Sequence, residues 1–288
     1  MSMSLPMLSN ASVVPLYQVG NQLGEGAFWD NEGQRLLWVD ILEARLFAQH
    51  GDGFERFELP VMPSVIWKIE NDCVYVATEE GVGEVALSTG RYRTVLEVEA
   101  QKKDTRSNDG GAAPDGSFWF GTMLHEPVEK GGAIYRIYPD LSVERIGSPV
   151  GIPNTFLFPP GTGYALIGDT FERRIYRYSL HPKKKPELLG VWMEKQKGDA
   201  GSPDGSALVD DVAVVNAEWG GSRLVAYDLD GREYDSLALP VSQPTSCVLG
   251  GRHGRTLFVT SAREGLSDAE LAHEPDAGSV FTVELASP

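Results

Sequence analysis

Five short polar stretches interrupt a strand-like sequence and carry the residues best suited to chemistry. They are Gly24-Glu25-Gly26-Ala27-Phe28-Trp29, Arg106-Ser107-Asn108-Asp109-Gly110, Pro153-Asn154-Thr155, Ser202-Pro203-Asp204-Gly205 and Pro244-Thr245-Ser246-Cys247. Glu25, Asn154 and Asp204 offer hard oxygen donors, which suit Ca2+, Mg2+ or Mn2+. Two carboxylates and one amide leave coordination positions open for water and substrate, as a catalytic metal needs. Taken singly, each has a plainer explanation. Asp109-Gly110 and Asp204-Gly205 are common turn dipeptides, and Asn154 after a proline suits the start of a turn. The residues become a site only if the fold brings them to one place.

An internal repeat supplies such a fold. Six pairs of apolar runs recur about 40 residues apart, the length of a four-stranded propeller blade. Leu36-Leu37-Trp38-Val39-Asp40 precedes Ala44-Arg45-Leu46-Phe47-Ala48, and Cys73-Val74-Tyr75-Val76-Ala77 precedes Gly83-Glu84-Val85-Ala86-Leu87. Similar pairs begin at Phe118, Tyr164, Val212 and Leu257. Their Val, Ile, Tyr, Trp and Phe content favours strands, and runs apolar on both faces suit strands sandwiched between blades. The expected architecture is all-β, a six-bladed β-propeller. The sixth copy lacks an outermost strand before Pro288, and Ser12 to Val19 can supply it, closing the ring and removing its free edges. A single domain over residues 1–288 is expected, with 1–11 as a flexible N-terminus. Only Ser267 to Glu274 suggests a helical turn or two. In a propeller, the five polar stretches lead into innermost strands and converge at one end of the central channel.

Composition narrows the function classes. Hydrophobic residues at 42% and charged ones at 23% of 288 argue for a globular chain. A formal charge of −16 argues against a nucleic-acid-binding surface. The basic run Lys183-Lys184-Lys185 reads as a solvated turn. Cys73 and Cys247 lack metal or framework spacing and read as reduced, buried thiols. Met1 to Asn10 lacks the pattern of a signal peptide, and no segment has the length and apolarity to span a bilayer, so a cytoplasmic location is expected. No nucleophile elbow or zinc-protease motif occurs. The histidines His50, His125, His181, His253 and His273 are scattered. Rim residues carry no pattern that fixes an oligomeric state.

From Leu23 to about Leu285 the chain resembles the gluconolactonase/regucalcin (senescence marker protein) family of six-bladed propellers. The resemblance is carried by Leu23-Gly24-Glu25-Gly26, Arg106-Ser107-Asn108-Asp109-Gly110, Phe118-Trp119-Phe120-Gly121-Thr122-Met123, Asp169-Thr170, Pro203-Asp204-Gly205 and Thr260-Ser261-Ala262-Arg263. It implies that Glu25, Asn154 and Asp204 are metal ligands, that Arg106 and Asn108 contact substrate, and that Glu126 binds sugar hydroxyls. His125 is the one histidine beside such a residue. Two positions depart from the family pattern. Thr155 stands where glycine commonly follows the asparagine, which restricts the backbone, and Ala27 stands where proline is frequent.

The activity the resemblance implies is hydrolysis of an aldonic or uronic sugar lactone, with one divalent cation (Ca2+, Mg2+, Mn2+ or Zn2+) polarising the carbonyl. Asp204 would take a proton from the attacking water. The expected partner is a small-molecule sugar lactone, with no nucleic acid and no membrane. Three other readings stand beside it. They are a calcium-binding regulator without turnover, a metal-dependent esterase acting outside sugars, and an interaction scaffold, although the repeated Gly-His and Trp-Asp signature of scaffold propellers is missing.

Overall fold

Each of the six repeats folds into one four-stranded antiparallel sheet in the computed structural model, which describes residues 5–9, 11–181 and 184–286. The chain opens with β1 (Val13–Tyr17) and then forms blade one from β2 (Gly24–Asp30), β3 (Arg35–Asp40), β4 (Arg45–His50) and β5 (Gly53–Glu58). Blade two holds β6 (Pro63–Glu70), β7 (Cys73–Thr78), β8 (Gly81–Ala86) and β9 (Arg91–Glu97). Blade three holds β10 (Thr105–Ala112), β11 (Phe118–Leu124), β12 (Gly132–Ile137) and β13 (Val143–Val150). Blade four holds β14 (Pro153–Leu157), β15 (Tyr164–Asp169), β16 (Arg174–Ser179) and β17 (Leu188–Glu194). Blade five holds β18 (Ser202–Val209), β19 (Ala213–Trp219), β20 (Arg223–Asp228) and β21 (Glu233–Ala238). Blade six holds β22 (Pro244–Gly250), β23 (Thr256–Ser261) and β24 (Val280–Glu284), and β1 completes it. The first strands of the six sheets pack side by side around the channel.

The closure expected of the N-terminal strand is observed. β1 pairs antiparallel with β24, from Val13 opposite Val283 to Tyr17 opposite Val280. Tyr17 also stacks on Trp38 of blade one, with ring centroids 5.5 Å apart. One strand thus completes its own blade and packs against the next.

The apolar cores lie between blades, because each sheet buries both faces against its neighbours. Leu36, Leu37, Trp38 and Val39 of β3 are fully buried, as the continuous apolar run requires. The outer strand of blade one carries charge instead: β5 reads Gly-Phe-Glu-Arg-Phe-Glu and is largely exposed. Such an edge resists pairing with other chains.

Within the N-terminal segment, Leu8 is fully buried in the core shared by blades five and six. Its amide and that of Ser9 donate to Asp235 at 2.6 and 3.0 Å, and the Tyr234 hydroxyl donates to the Pro6 carbonyl at 2.9 Å. An apolar side chain in reach of an open inter-blade gap is better buried than solvated. Cys73 was expected to be buried but is only half-buried, at the start of β7, whereas Cys247 is buried, and both thiols are free. Residues 1–4 and 10 of the N-terminal segment, and Lys183 of the basic run, lie outside the described residues; Lys184 and Lys185 are exposed. The short helix expected near Ser267 is α1 (Asp268–His273), capped by Ser267 and Glu270 in a capping box. Among the described residues no helix is long and apolar enough to cross a membrane.

Candidate metal and substrate cleft

A bulge opens each innermost strand, and this local irregularity builds the site. Register shifts fall between Glu25 and Phe28, Ser107 and Gly110, Asn154 and Leu157, and Pro203 and Ser206. Similar shifts occur in β6 and β22. A bulge adds an unpaired residue and re-aims the neighbouring side chains. Here it turns polar side chains toward the channel mouth while the rest of each strand stays in register. Gly26 serves the first bulge twice. Its φ is +58°, and a Cβ there would come within 2.5 Å of the Ser64 carbonyl of the next blade.

Thr155 occupies the corresponding backbone conformation with φ at +53°. A β-branched residue is disfavoured there, and the structure shows what holds it. The Thr155 hydroxyl donates to the Asp204 carbonyl at 2.5 Å and lies 2.8 Å from the Ser206 hydroxyl. A cross-blade hydrogen bond thereby replaces the freedom that glycine would bring.

Glu25, Arg106, Asn108, Asn154 and Asp204 come together in a cleft of about 390 Å³, and all five side chains are buried in its floor. Asn108 links them. Its Oδ1 accepts from Arg106 Nη1 at 2.6 Å, and its Nδ2 donates to Asn154 Oδ1 at 3.0 Å and to the Pro153 carbonyl at 2.9 Å. Asn154 Nδ2 donates in turn to the Thr170 hydroxyl at 2.7 Å, which donates to the Pro203 carbonyl at 2.6 Å. Both ends of the Asn154 amide are therefore fixed.

The carboxylates are not matched in the same way. Burial pushes Glu25 up to about 8, reinforced by the charge of Asp109, against a hydrogen bond from the Gly26 amide and the pull of Arg106. Asp204 is raised well above the usual carboxylate range by burial and then by Glu25 and Asp109. Asp109, turned toward a second cavity of about 280 Å³ along the channel, is pushed up to about 7 by burial. Asp204 Oδ1 is buried without a hydrogen-bond partner. Buried acids elsewhere are satisfied, Asp40 and Asp169 by backbone amides and others by ion pairs. Glu218 binds Lys195 at 2.6 Å and Arg223 at 2.7 Å, and Arg136 binds Asp115. A buried carboxylate oxygen left without a partner, while structural acids are satisfied, marks a functional position.

This donor set fits a divalent cation. Two facing acids, one orphaned oxygen and an oriented amide oxygen are hard ligands whose mutual repulsion a cation relieves. Among the described residues, no three His, Cys, Asp or Glu side chains form a metal cluster by themselves, so the set depends on the Asn154 amide.

Glu126 departs from the other sequence-derived residues. It is exposed and lies outside the cleft lining, although His125 and Pro127 on either side reach the rim. Sequence reasoning assigned no role to Met123, Thr170, Trp219 or Glu264, which also line the cleft. A topological signal could have found them. Each lies at or just beyond the end of a blade's second strand, and antiparallel pairing sets that end beside the start of the first strand. Met123 thus pairs with Arg106, and Trp219 with Ser202.

Fold and site together define a six-bladed β-propeller with an acid-rich cleft at one end of its channel. The chain belongs to the SMP-30/Gluconolactonase/LRE-like region family, whose pattern matches residues 23–263. It is 35% identical over 270 residues to an L-arabinolactonase of Azospirillum brasilense, covering 92% of this chain and 89% of that protein. A 6-deoxy-6-sulfogluconolactonase of Pseudomonas putida is 30% identical over 268 residues, covering 92% of both chains. Among solved structures, a calcium-binding protein, regucalcin, from Agrobacterium tumefaciens superposes with a TM-score of 0.90 at 29% identity, covering 99% of this chain and 98% of that one.

Proposed function

We propose that this chain is a metal-dependent lactonase that opens a sugar lactone to its open-chain acid. The observation that carries the proposal is the buried, unpartnered Asp204 Oδ1 facing Glu25 in a cleft of monosaccharide size. The sugar-lactonase names of the two relatives above support the same chemistry.

Glu25, Asn154 and Asp204 would hold the cation, which when bound supplies Lewis-acid polarisation of the lactone carbonyl. Asp204 accepts a proton from the attacking water as its oxygen bonds to the carbonyl carbon. The acyl carbon–oxygen bond then breaks, and the leaving ring oxygen takes that proton back from Asp204 to become a hydroxyl. Arg106 donates to oxygens of the sugar, and Asn108 keeps Arg106 and Asn154 in register through its two ends. Trp219 and Met123 cover apolar ring faces and exclude bulk water. A lactone is a reactive ester, so this set needs no covalent nucleophile.

The test is acid release from a panel of aldono- and uronolactones by metal-stripped protein, with Ca2+, Mg2+, Mn2+ or Zn2+ added back. The expected result is metal-dependent turnover above the spontaneous rate, lost by at least about 100-fold in Asp204→Ala with the fold retained. Metal-induced stabilisation with no turnover on any lactone would instead assign the cleft to cation binding alone.

A further inference from the structure

We infer that Glu264 makes the cleft select neutral sugar lactones over lactones that carry a carboxylate of their own. This rests on the lactonase reading for the reaction, but not for the binding preference.

The cleft has a lopsided charge layout. Glu25, Asp204 and Glu264 line it, and Arg106 is the one Lys or Arg among its described lining residues. A substrate carboxylate would need Arg106, because arginine offers the planar fork that binds carboxylates. One arm of that fork is already engaged. Arg106 Nη1 donates to the Ser107 carbonyl at 3.0 Å and to Asn108 Oδ1 at 2.6 Å. Of the carboxylates acting on Arg106, Glu264 exerts the strongest pull, ahead of Glu25 and Asp204.

Glu264 is held in place by its backbone. Its amide donates to the Gln22 carbonyl at 2.9 Å, and its own carbonyl accepts from Gln243 Nε2 at 3.0 Å. The half-buried side chain therefore faces the cleft from a fixed loop just beyond β23. Cations around the cleft are engaged elsewhere: Arg263, next to Glu264 in the chain, donates from Nε to the Ala277 carbonyl at 2.8 Å. Lys195 is buried against Glu218, and Arg173 donates to the carbonyls of Asp199 and Gly201 at 2.7 Å. A divalent cation would balance Glu25 and Asp204, and Arg106 balances Glu264, so a second carboxylate on the substrate meets no unmatched positive charge. Hydroxyls face no such penalty, since Glu264 and Asn108 can both accept from them.

The test pairs binding with turnover. Binding of two non-cleavable sugar lactams, one neutral and one bearing a terminal carboxylate, is measured by calorimetry on wild type and Glu264→Gln. The neutral lactam is expected to bind at least about 10-fold more tightly to wild type, or about 1.4 kcal/mol, with the ratio falling below about 3 in Glu264→Gln. For wild type alone, raising the salt concentration should narrow the gap by weakening only the carboxylate's repulsion. Equal or tighter binding of the carboxylate lactam, an unchanged ratio in Glu264→Gln, or no binding of either compound would overturn the inference. Turnover of matched neutral and uronic lactones reports on the lactonase reading separately. Selective lactam binding without hydrolysis would sink that reading and leave the charge selection standing.

Discussion

The Thr155 hydroxyl donates a hydrogen bond to the backbone carbonyl of Asp204, joining the bulge of blade four to that of blade five beneath the cleft. Asn216 Nδ2 donates to the same carbonyl at 2.8 Å from within blade five. The backbone that presents Asp204 is thus held from both sides, and Thr155 itself is fully buried in the left-handed conformation.

Thr155→Val keeps the shape and removes the hydroxyl. Losing a buried hydrogen bond typically costs about 1–3 kcal/mol when a partner is left unsatisfied. The Asn216 contact keeps the expected loss near the low end of that range. It should appear as a lower Tm together with weaker divalent-cation binding in calorimetry. An unchanged Tm would mean that the cross-blade bond does not hold the strained backbone.

Arg106→Ala and Glu126→Gln should separate cleanly. Arg106 is buried in the cleft floor, whereas Glu126 is exposed outside it. Arg106→Ala is expected to raise KM by about 10-fold or more with a smaller effect on kcat, the signature of lost ground-state binding. Glu126→Gln should change kcat/KM by less than about 2-fold, or below about 0.4 kcal/mol. A large Glu126 effect would mean that the loop carrying it folds over bound substrate.

Metal-free protein should lose stability as pH rises. Glu25 and Asp109 are pushed up to about 8 and about 7, and Asp204 is also raised, so the folded state holds protons that the unfolded chain releases near pH 4. Their contribution is fully present below the unfolded pKa and is lost as pH rises through the folded values. In a chelating buffer, Tm should therefore fall between about pH 5 and 8. Asp109→Asn should flatten that slope, and divalent cation should raise Tm most at the alkaline end. A Tm that climbs with pH in chelator would contradict the picture of three crowded acids.

Leu8→Ala probes the N-terminal anchor. Leu8 is fully buried in the core shared by blades five and six. Truncating a buried leucine typically costs about 2–5 kcal/mol, so chemical denaturation should show a clear loss at unchanged cleft chemistry. A loss below about 0.5 kcal/mol, the level of ordinary surface changes, would show that the segment is dispensable.

Repeat spacing and strand composition alone indicated six blades, because a sheet buried on both faces writes itself as paired apolar runs. The same repeat made Glu25, Asn154 and Asp204 candidates for one site, since equivalent positions in a ring must converge. The family resemblance added Arg106 and Asn108, which the structure brings to the same cleft, and Glu126, which it leaves outside. Chain order could not indicate distance between blades. The Thr155 bond to blade five, and the meeting of Glu25, Arg106, Asp204 and Glu264 in one cleft, join residues from different blades. Leu8 likewise finds its core 227 positions from the Asp235 that holds its amide. Local sequence sets which residues form strands and where bulges fall, while charge balance in the cleft depends on blade-to-blade packing, which only the closed ring decides.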